Sequence, residues 1–144
     1  MTEPFVEITR REEFSAAHRL HNPSFSDEEN RRLYGVCNNA NGHGHNYAFE
    51  VTVRGPVPRA TGVGMDRNRL MGRRREARIS QVDHKHLNHD VPWLTGIVPT
   101  AEHVAIAFWN RIEPRLARFE GCTLRRVRVY ESRDNFADYF GAGA

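Results

Sequence analysis

Residues 45–55 read HNYAFEVTVRG and carry the clearest secondary-structure pattern in this chain of 144 residues. Successive side chains alternate between two rows, one of His45, Tyr47, Phe49, Val51 and Val53, the other of Asn46, Ala48, Glu50, Thr52 and Arg54. Because the side chains of an extended chain point alternately to opposite faces, this pattern predicts a β-strand with one apolar and one polar face.

Three more strands and two helices are predicted around this strand. The strands lie at residues 4–14, 123–132 and 135–140, and the helices at residues 66–80 and 101–117. The alternation of the first strand continues to Leu20, residues 21–42 are expected to form a long loop, and Thr100 caps the stronger, second helix. This order predicts an α+β fold in one domain of residues 1–144, with a four-stranded antiparallel sheet and two helices on one face.

The composition is that of a globular protein with a small basic excess. Lysine and arginine number 21 against 18 aspartates and glutamates, and the sequence pI is near 9.2. This excess is weak support for nucleic-acid binding and suits an anionic small molecule as well. The two cysteines do not form a disulfide framework, and neither a signal peptide nor an apolar run of roughly 20 residues is recognisable. We therefore expect a cytoplasmic protein with no membrane partner.

Three histidines are candidate ligands of one metal ion. His43 and His45 stand two residues apart at the start of the alternating strand, so both imidazoles lie on one face of an extended backbone. His18 ends the first strand on its apolar side, and pairing of the two strands would bring it to the same edge. Three histidines are typical of a catalytic zinc site that keeps a fourth position open. The alternative is that they are ordinary loop histidines.

Two further groups are candidates for acid–base chemistry. Five residues separate Cys37 from His43, so the thiolate could be a fourth zinc ligand, a base or a nucleophile, and the alternative is a small buried side chain. Asp83 and His84 are adjacent, but side chains adjacent on a strand diverge, so His84 would need an orienting carboxylate from elsewhere.

Glu131 is a candidate ligand-binding residue. It shares the parity of Val127 and Val129, so its carboxylate ends an apolar row that is expected to face the core or a pocket. Burial of an unpaired charge is costly. A carboxylate in this position could accept two N–H donors from a flat heterocycle with an amidine-like edge. The alternative is a strand-end glutamate that turns out to solvent.

Six motifs, taken in order, resemble the 6-pyruvoyl-tetrahydropterin synthase family. They are FSAAHRL at 14–20, CNNANGHGHNY at 37–47, TG…M within 61–65, DHKHLN with DVP at 83–92, the helix start at 100–102 and VRVYES at 127–132. The likeness spans residues 4–140. It implies a tunnelling fold, in which three subunits join sheet edges into a barrel, two rings stack as a homohexamer, and active sites lie between subunits.

The resemblance also implies a substrate and a role for each candidate residue. The substrate would be 7,8-dihydroneopterin triphosphate, converted to 6-pyruvoyl-tetrahydropterin with loss of triphosphate and without a nicotinamide cofactor. The implied zinc ligands are His18, His43 and His45, the proton-relay residues Cys37 (as base), Asp83 and His84, and the pterin contacts Glu131, Thr100 and Glu102. Arg19 is predicted to contact the triphosphate because of its charge and its position beside His18.

Two alternative functions stay open at this point. The related 6-carboxytetrahydropterin synthase of queuosine biosynthesis looks similar throughout, but its cysteine usually stands closer to the HGH motif than Cys37 does here. A non-catalytic, zinc-stabilised module that binds nucleic acid or another anion would explain why the helix predicted at 66–80 is rich in arginine. It would not explain the coexistence of the proton-relay residues. The chain also departs from the family pattern at Arg67, Arg74 and Arg78, where apolar residues would face the sheet, and at Pro99 and Ala101, beside Thr100.

Overall fold

The computed structural model describes residues 3–64 and 79–143. In chain order the elements are β1 (Phe5–His18), α1 (Asp27–Tyr34), β2 (His43–Pro56), β3 (Lys85–His86), α2 (Ala101–Leu116), β4 (Thr123–Tyr130) and β5 (Phe136–Tyr139), with short 3-10 helices at Gly35–Asn38 and Pro92–Leu94. The four predicted strands and the helix that begins after Thr100 are confirmed. The helix predicted at 66–80 lies, apart from its last two residues, outside the described residues.

The sheet has the strand order β3-β1-β2-β4-β5. The β1–β2, β2–β4 and β4–β5 pairs are antiparallel, as the sequence predicts. The prediction of only four strands, all antiparallel, is wrong in one respect. A fifth, two-residue strand, β3, pairs in parallel with β1 through Ala16–Lys85 and Ala17–His86. Two residues are too few to carry an alternating pattern, so the sequence did not reveal this strand.

The segment 21–42 is not the irregular loop that the sequence predicts, because it contains helix α1 and the first 3-10 helix. Ser26 is the N-cap of α1, and its side chain accepts a hydrogen bond from the backbone N–H of Glu29 at 3.1 Å. The first turn is acidic, and negative side chains there interact favourably with the positive end of the helix dipole. Asn30 is the one buried residue of α1. The helix therefore lacks the apolar stripe by which helices are recognised in sequence.

The core lies between one face of the sheet and α2. The buried stripe of this helix consists of Ala101, Val104, Ala105, Phe108, Trp109, Ile112 and Leu116. Phe108 stacks on Phe49 of β2 with ring centroids 4.7 Å apart. The ring of Phe14 in β1 also packs against Phe108, with centroids 6.0 Å apart. Within the described ranges, no helix combines the length and hydropathy needed to cross a bilayer.

The end of this packed face positions the candidate site. The apolar rows of β1 and β2 run along the core and end at His18 and His45, respectively, because the side-chain parity is unbroken. The register pairs His18 directly with His43. The two strands thus deliver three imidazoles to one edge of the core.

Candidate active site

The three histidine rings lie within contact distance of one another. Ring centroids are 5.0 Å apart for His18 and His43, 4.9 Å for His18 and His45, and 4.6 Å for His43 and His45. The Nε2 atoms of His18 and His43 are 3.1 Å apart. The strand pairing anticipated from the sequence therefore brings the three rings together.

Burial favours the neutral form of two of these imidazoles, those of His18 and His45. The pKa of His18 is lowered chiefly by burial, with a backbone hydrogen bond to Pro99 acting against the shift. Burial likewise lowers the pKa of His45. Neutral imidazole is the form that binds metal ions, since protonation occupies the nitrogen lone pair.

Glu131 reaches this histidine cluster from β4. Val127 and Val129 are fully buried, as their parity predicts, and the same row continues to Glu131 just beyond the strand. One carboxylate oxygen, Oε1, lies 3.2 Å from Nε2 of His45 and 3.8 Å from Nε2 of His18. The carboxylate is therefore turned inward, not out to solvent.

Cys37 completes the set of potential ligands. Ligand atoms of His18, Cys37, His43 and Glu131 all lie within 4.8 Å of one another. The backbone carbonyl of Cys37 accepts a hydrogen bond from the N–H of Leu20 at 2.8 Å, which ties the 3-10 helix to the end of β1. Burial, and then the charge of Glu131, raise the pKa of the thiol. Deprotonation would therefore need a positive charge close by.

The residues present fit a divalent metal ion. Nε2 of His45 is buried and has no hydrogen-bond partner within residues 3–64 and 79–143, although Glu131 lies close. Two imidazoles on a tetrahedral zinc, with bonds of about 2.0–2.1 Å, would hold their nitrogens about 3.3 Å apart, near the 3.1 Å seen between His18 and His43. Imidazole, thiolate and carboxylate together are a donor set that suits zinc.

Gly42 allows the close turn that leads into this site. Its φ is +75°, a left-handed conformation, and a Cβ at this position would lie 2.8 Å from the carbonyl oxygen of His18. A side chain would therefore both strain the backbone and push β1 away from the turn.

Asp83 and His84 form a contacting pair. Oδ1 of Asp83 lies 3.0 Å from Nδ1 of His84 and accepts a hydrogen bond from the N–H of Ser15 at 2.9 Å. The expectation that these adjacent side chains diverge is wrong, because they lie in a turn and His84 has a φ of 58°. The His84 side chain is 82% exposed in the single chain. A carboxylate in contact with the His84 ring is thus that of the preceding residue.

Arg19 holds the segment around Cys37 in place. Its Nε donates to the carbonyl oxygen of Asn38 at 3.1 Å. Its backbone N–H donates to the side chain of Asn88, which in turn donates to the Arg19 carbonyl, both at 2.8 Å. At least part of this guanidinium therefore has a structural partner.

Thr100 and Glu102 lie at the start of α2. The Thr100 hydroxyl accepts the backbone N–H of His103 at 3.2 Å and so caps the helix. Glu102 lines a cavity of about 320 Å³, together with Ala101, Glu131 and residues 134–137. Glu131 also borders a second cavity of about 720 Å³ beside His45 and Asp83. Glu131 thus stands between two cavities.

Sequence reasoning missed two groups that touch His18. The Tyr47 hydroxyl lies 3.0 Å, and the Pro99 carbonyl oxygen 2.9 Å, from Nδ1 of His18. Tyr47 was recognisable only as a member of the apolar row of β2, and a backbone carbonyl leaves no mark in a sequence.

Comparison with known proteins assigns the family. The family model described as 6-pyruvoyl tetrahydropterin synthase matches residues 7–142. The chain belongs to this family. It is 43% identical over 136 residues to the human 6-pyruvoyl tetrahydrobiopterin synthase, an alignment that covers 94% of this chain and 92% of the human protein.

Two further relatives bear on the fold and on the alternative 6-carboxytetrahydropterin synthase function. The structure of 6-pyruvoyl tetrahydropterin synthase from Caenorhabditis elegans superposes with a TM-score of 0.88 at 36% identity, covering 99% of both chains. The tunnelling fold predicted from the sequence is therefore confirmed. A putative 6-carboxy-5,6,7,8-tetrahydropterin synthase of Archaeoglobus fulgidus is 30% identical over 96 residues, which is 67% of this chain and 73% of that protein.

Proposed function

We propose that this chain is a carbon–oxygen lyase that converts 7,8-dihydroneopterin triphosphate to 6-pyruvoyl-tetrahydropterin and triphosphate. Family membership supports the proposal. The observation that carries it is the convergence of three imidazoles, the Cys37 thiol and the Glu131 carboxylate at one edge of the core. A structural metal site would have no need of a carboxylate that also borders two cavities.

In this proposal His18, His43 and His45 hold zinc. Bound zinc would polarise the hydroxyls of the substrate side chain and acidify the neighbouring carbon-bound protons. Cys37 would accept a carbon-bound proton as the general base, and the Asp83–His84 pair would relay protons. Elimination of triphosphate and internal proton shifts leave the number of electrons unchanged, so no nicotinamide is required.

Pterin recognition is assigned to the cavity between β4 and α2. Glu131 and Glu102 both line this cavity, and Thr100 caps the helix beside it. Two carboxylates suit the N–H donors along the amidine-like edge of a pterin, because ionised acids only accept hydrogen bonds. Glu131 would thereby place the substrate side chain beside the histidine cluster that its carboxylate also contacts.

Arg19 stays a proposed contact of the triphosphate, even though its Nε donates to Asn38. The remaining guanidinium nitrogens would supply the positive charge. An Arg19→Ala enzyme should show a raised KM for the triphosphate substrate with its zinc content preserved. An unchanged KM would remove this assignment.

The assembly proposed is a homohexamer of two stacked rings in the cytoplasm, with active sites between subunits. The exposure of His84 supports it, since a relay residue that points away from its own chain can serve a neighbouring subunit. The sheet also ends in two short edge strands, β3 and β5, and closure into a barrel would satisfy their unpaired backbone groups.

One assay tests the reaction directly. Purified protein with one zinc per chain is incubated with 7,8-dihydroneopterin triphosphate, and the pterin product is identified by mass together with the released triphosphate. The 6-pyruvoyl product is expected. The 6-carboxy product would favour the queuosine-type alternative, which the long spacing between Cys37 and His43 argues against. Salt-sensitive binding to nucleic acid without turnover would favour the non-catalytic module.

A further inference from the structure

The His18 ring is held from the side opposite the histidine cluster. It is fully buried, and its Nδ1 has two oxygen neighbours, the Pro99 carbonyl at 2.9 Å and the Tyr47 hydroxyl at 3.0 Å. Tyr47 is 1% exposed. Nε2 of the same ring faces the other way, towards Nε2 of His43 and the Glu131 carboxylate.

The two contacts on Nδ1 decide which nitrogen carries the proton. A carbonyl oxygen can only accept a hydrogen bond, so the contact with Pro99 requires a proton on Nδ1. In a neutral imidazole, Nε2 then keeps its lone pair. Since the same N–H reaches two oxygens, the Tyr47 hydroxyl is its second acceptor. The lone pair of Nε2 is thereby directed at the cluster formed by His43, His45 and Glu131.

The hydroxyl of Tyr47 is not explained by packing. The ring of Tyr47 stacks on Phe14 with centroids 4.9 Å apart and planes 4° from parallel, which a phenylalanine would do equally well. Burying a hydroxyl costs free energy unless it is hydrogen-bonded. The hydroxyl contacts Nδ1 of His18, whose other ring nitrogen, Nε2, faces the histidine cluster. This contact gives the hydroxyl a role that the aromatic ring alone lacks.

We propose that Tyr47 is a positioning residue of the metal centre: with the Pro99 carbonyl, it holds His18 in its Nδ1–H tautomer and fixes the ring so that Nε2 can bind the metal. The proposal rests on the proposed metal-binding role of His18. Pro99 immediately precedes Thr100, so the same contact links the metal ligand to the segment that lines the cavity assigned to the pterin. Mutation of a residue that hydrogen-bonds to a metal-binding histidine commonly lowers the metal affinity by about 10–100-fold.

The test compares Tyr47→Phe with the control Tyr139→Phe, whose ring packs against Trp109. Zinc dissociation constants are measured by competition with a chromogenic chelator, and the coordination geometry is followed by the visible absorption of the cobalt-substituted protein. We expect Tyr47→Phe to bind zinc about 10–100-fold more weakly with an altered cobalt spectrum. Tyr139→Phe should match the wild type in both. Unchanged affinity and spectrum in Tyr47→Phe would overturn the proposal.

A measurement on the wild type keeps the proposal testable if Tyr47→Phe does not fold. Long-range ¹H–¹⁵N spectra of the zinc-loaded protein should show the His18 proton on Nδ1, and a proton on Nε2 would refute the assignment. A wild-type protein that binds no zinc would refute both this inference and the proposed function. A wild type that binds zinc and turns over, beside an unaffected Tyr47→Phe, would refute this inference alone.

Discussion

Oε1 of Glu131 lies 3.2 Å from Nε2 of His45, so a single carboxylate touches the histidine cluster and borders the cavity assigned to the pterin. Replacing Glu131 with Gln keeps the shape but exchanges an acceptor for an N–H donor. Hydrogen bonds to a charged group contribute about 1.5–3 kcal/mol, so kcat/KM should fall roughly 10–150-fold. Zinc content should be preserved, because three imidazoles remain. Wild-type kinetics in Glu131→Gln would contradict the anchoring role.

Cys37→Ala separates the general base from metal binding. Loss of a general base typically lowers the rate by about 10²–10⁴-fold. We therefore expect kcat to fall by at least about 10²-fold. The zinc content, measured by atomic emission, should stay near one per chain. Cys122→Ala is the matched control, because Cys122 packs against the core beside Thr123, which pairs with Arg54 at the end of β2 far from His43 and His45. Loss of zinc in Cys37→Ala would make the thiolate a ligand instead of a base.

His43→Ala tests the metal centre itself. Its Nε2 lies 3.1 Å from Nε2 of His18, so the variant should lose a ligand and bind zinc at least ten-fold more weakly, with activity falling in parallel. His89→Ala is the control, since this exposed histidine stacks on His86 outside the cluster. Chelator treatment of the wild type should abolish turnover, and added zinc should restore it. A chelated enzyme that stays active would count against metal dependence.

Asp83 predicts a pH dependence of stability. The N–H of Ser15, and then His84, hold the pKa of this carboxyl below its ordinary value of 3.8. A folded-state pKa below the unfolded one means that the ionised carboxylate stabilises the fold above the unfolded pKa, and that this contribution is lost as the pH falls through the folded pKa. The Tm of the wild type should therefore fall more steeply than that of Asp83→Asn when the pH is lowered from about 6 to about 3. Equal slopes in thermal denaturation followed by circular dichroism would exclude this linkage.

Phe108 packs α2 against the sheet, so replacing it with alanine should strongly lower the stability of the fold. It is 3% exposed and stacks on Phe49. Phe→Ala substitutions in cores typically cost 3–5 kcal/mol, and we expect a loss of about this size in the free energy of unfolding measured with urea. Phe140→Ala, at a side chain that is 56% exposed, should change stability by less than about 0.5 kcal/mol. A small loss in Phe108→Ala would show that the core refills the cavity.

Much of the candidate site could be predicted from local pattern. Strict alternation in β2 assigned His45 to the apolar face, the same parity assigned His18 to the apolar face of β1, and Val127 and Val129 indicated that Glu131 points inward. These predictions hold because side chains alternate between two faces wherever the backbone is extended, and the sequence alone is enough to follow that alternation. The α2 helix was predictable for a similar reason, since its cap and its apolar stripe are local.

Contacts between distant segments were decided by the tertiary structure. The two-residue strand β3 exists only because β1 offers it backbone partners, and α1 is held by its cap without an apolar stripe of its own. Asp83 reaches His84 because a left-handed turn bends the chain there. Tyr47 and Pro99 meet on Nδ1 of His18 across 29 and 81 residues of sequence. The sequence by itself determined which faces the side chains occupy. Packing of remote segments determined which of them touch, because such distances depend on the folding of the whole chain and not on any local period.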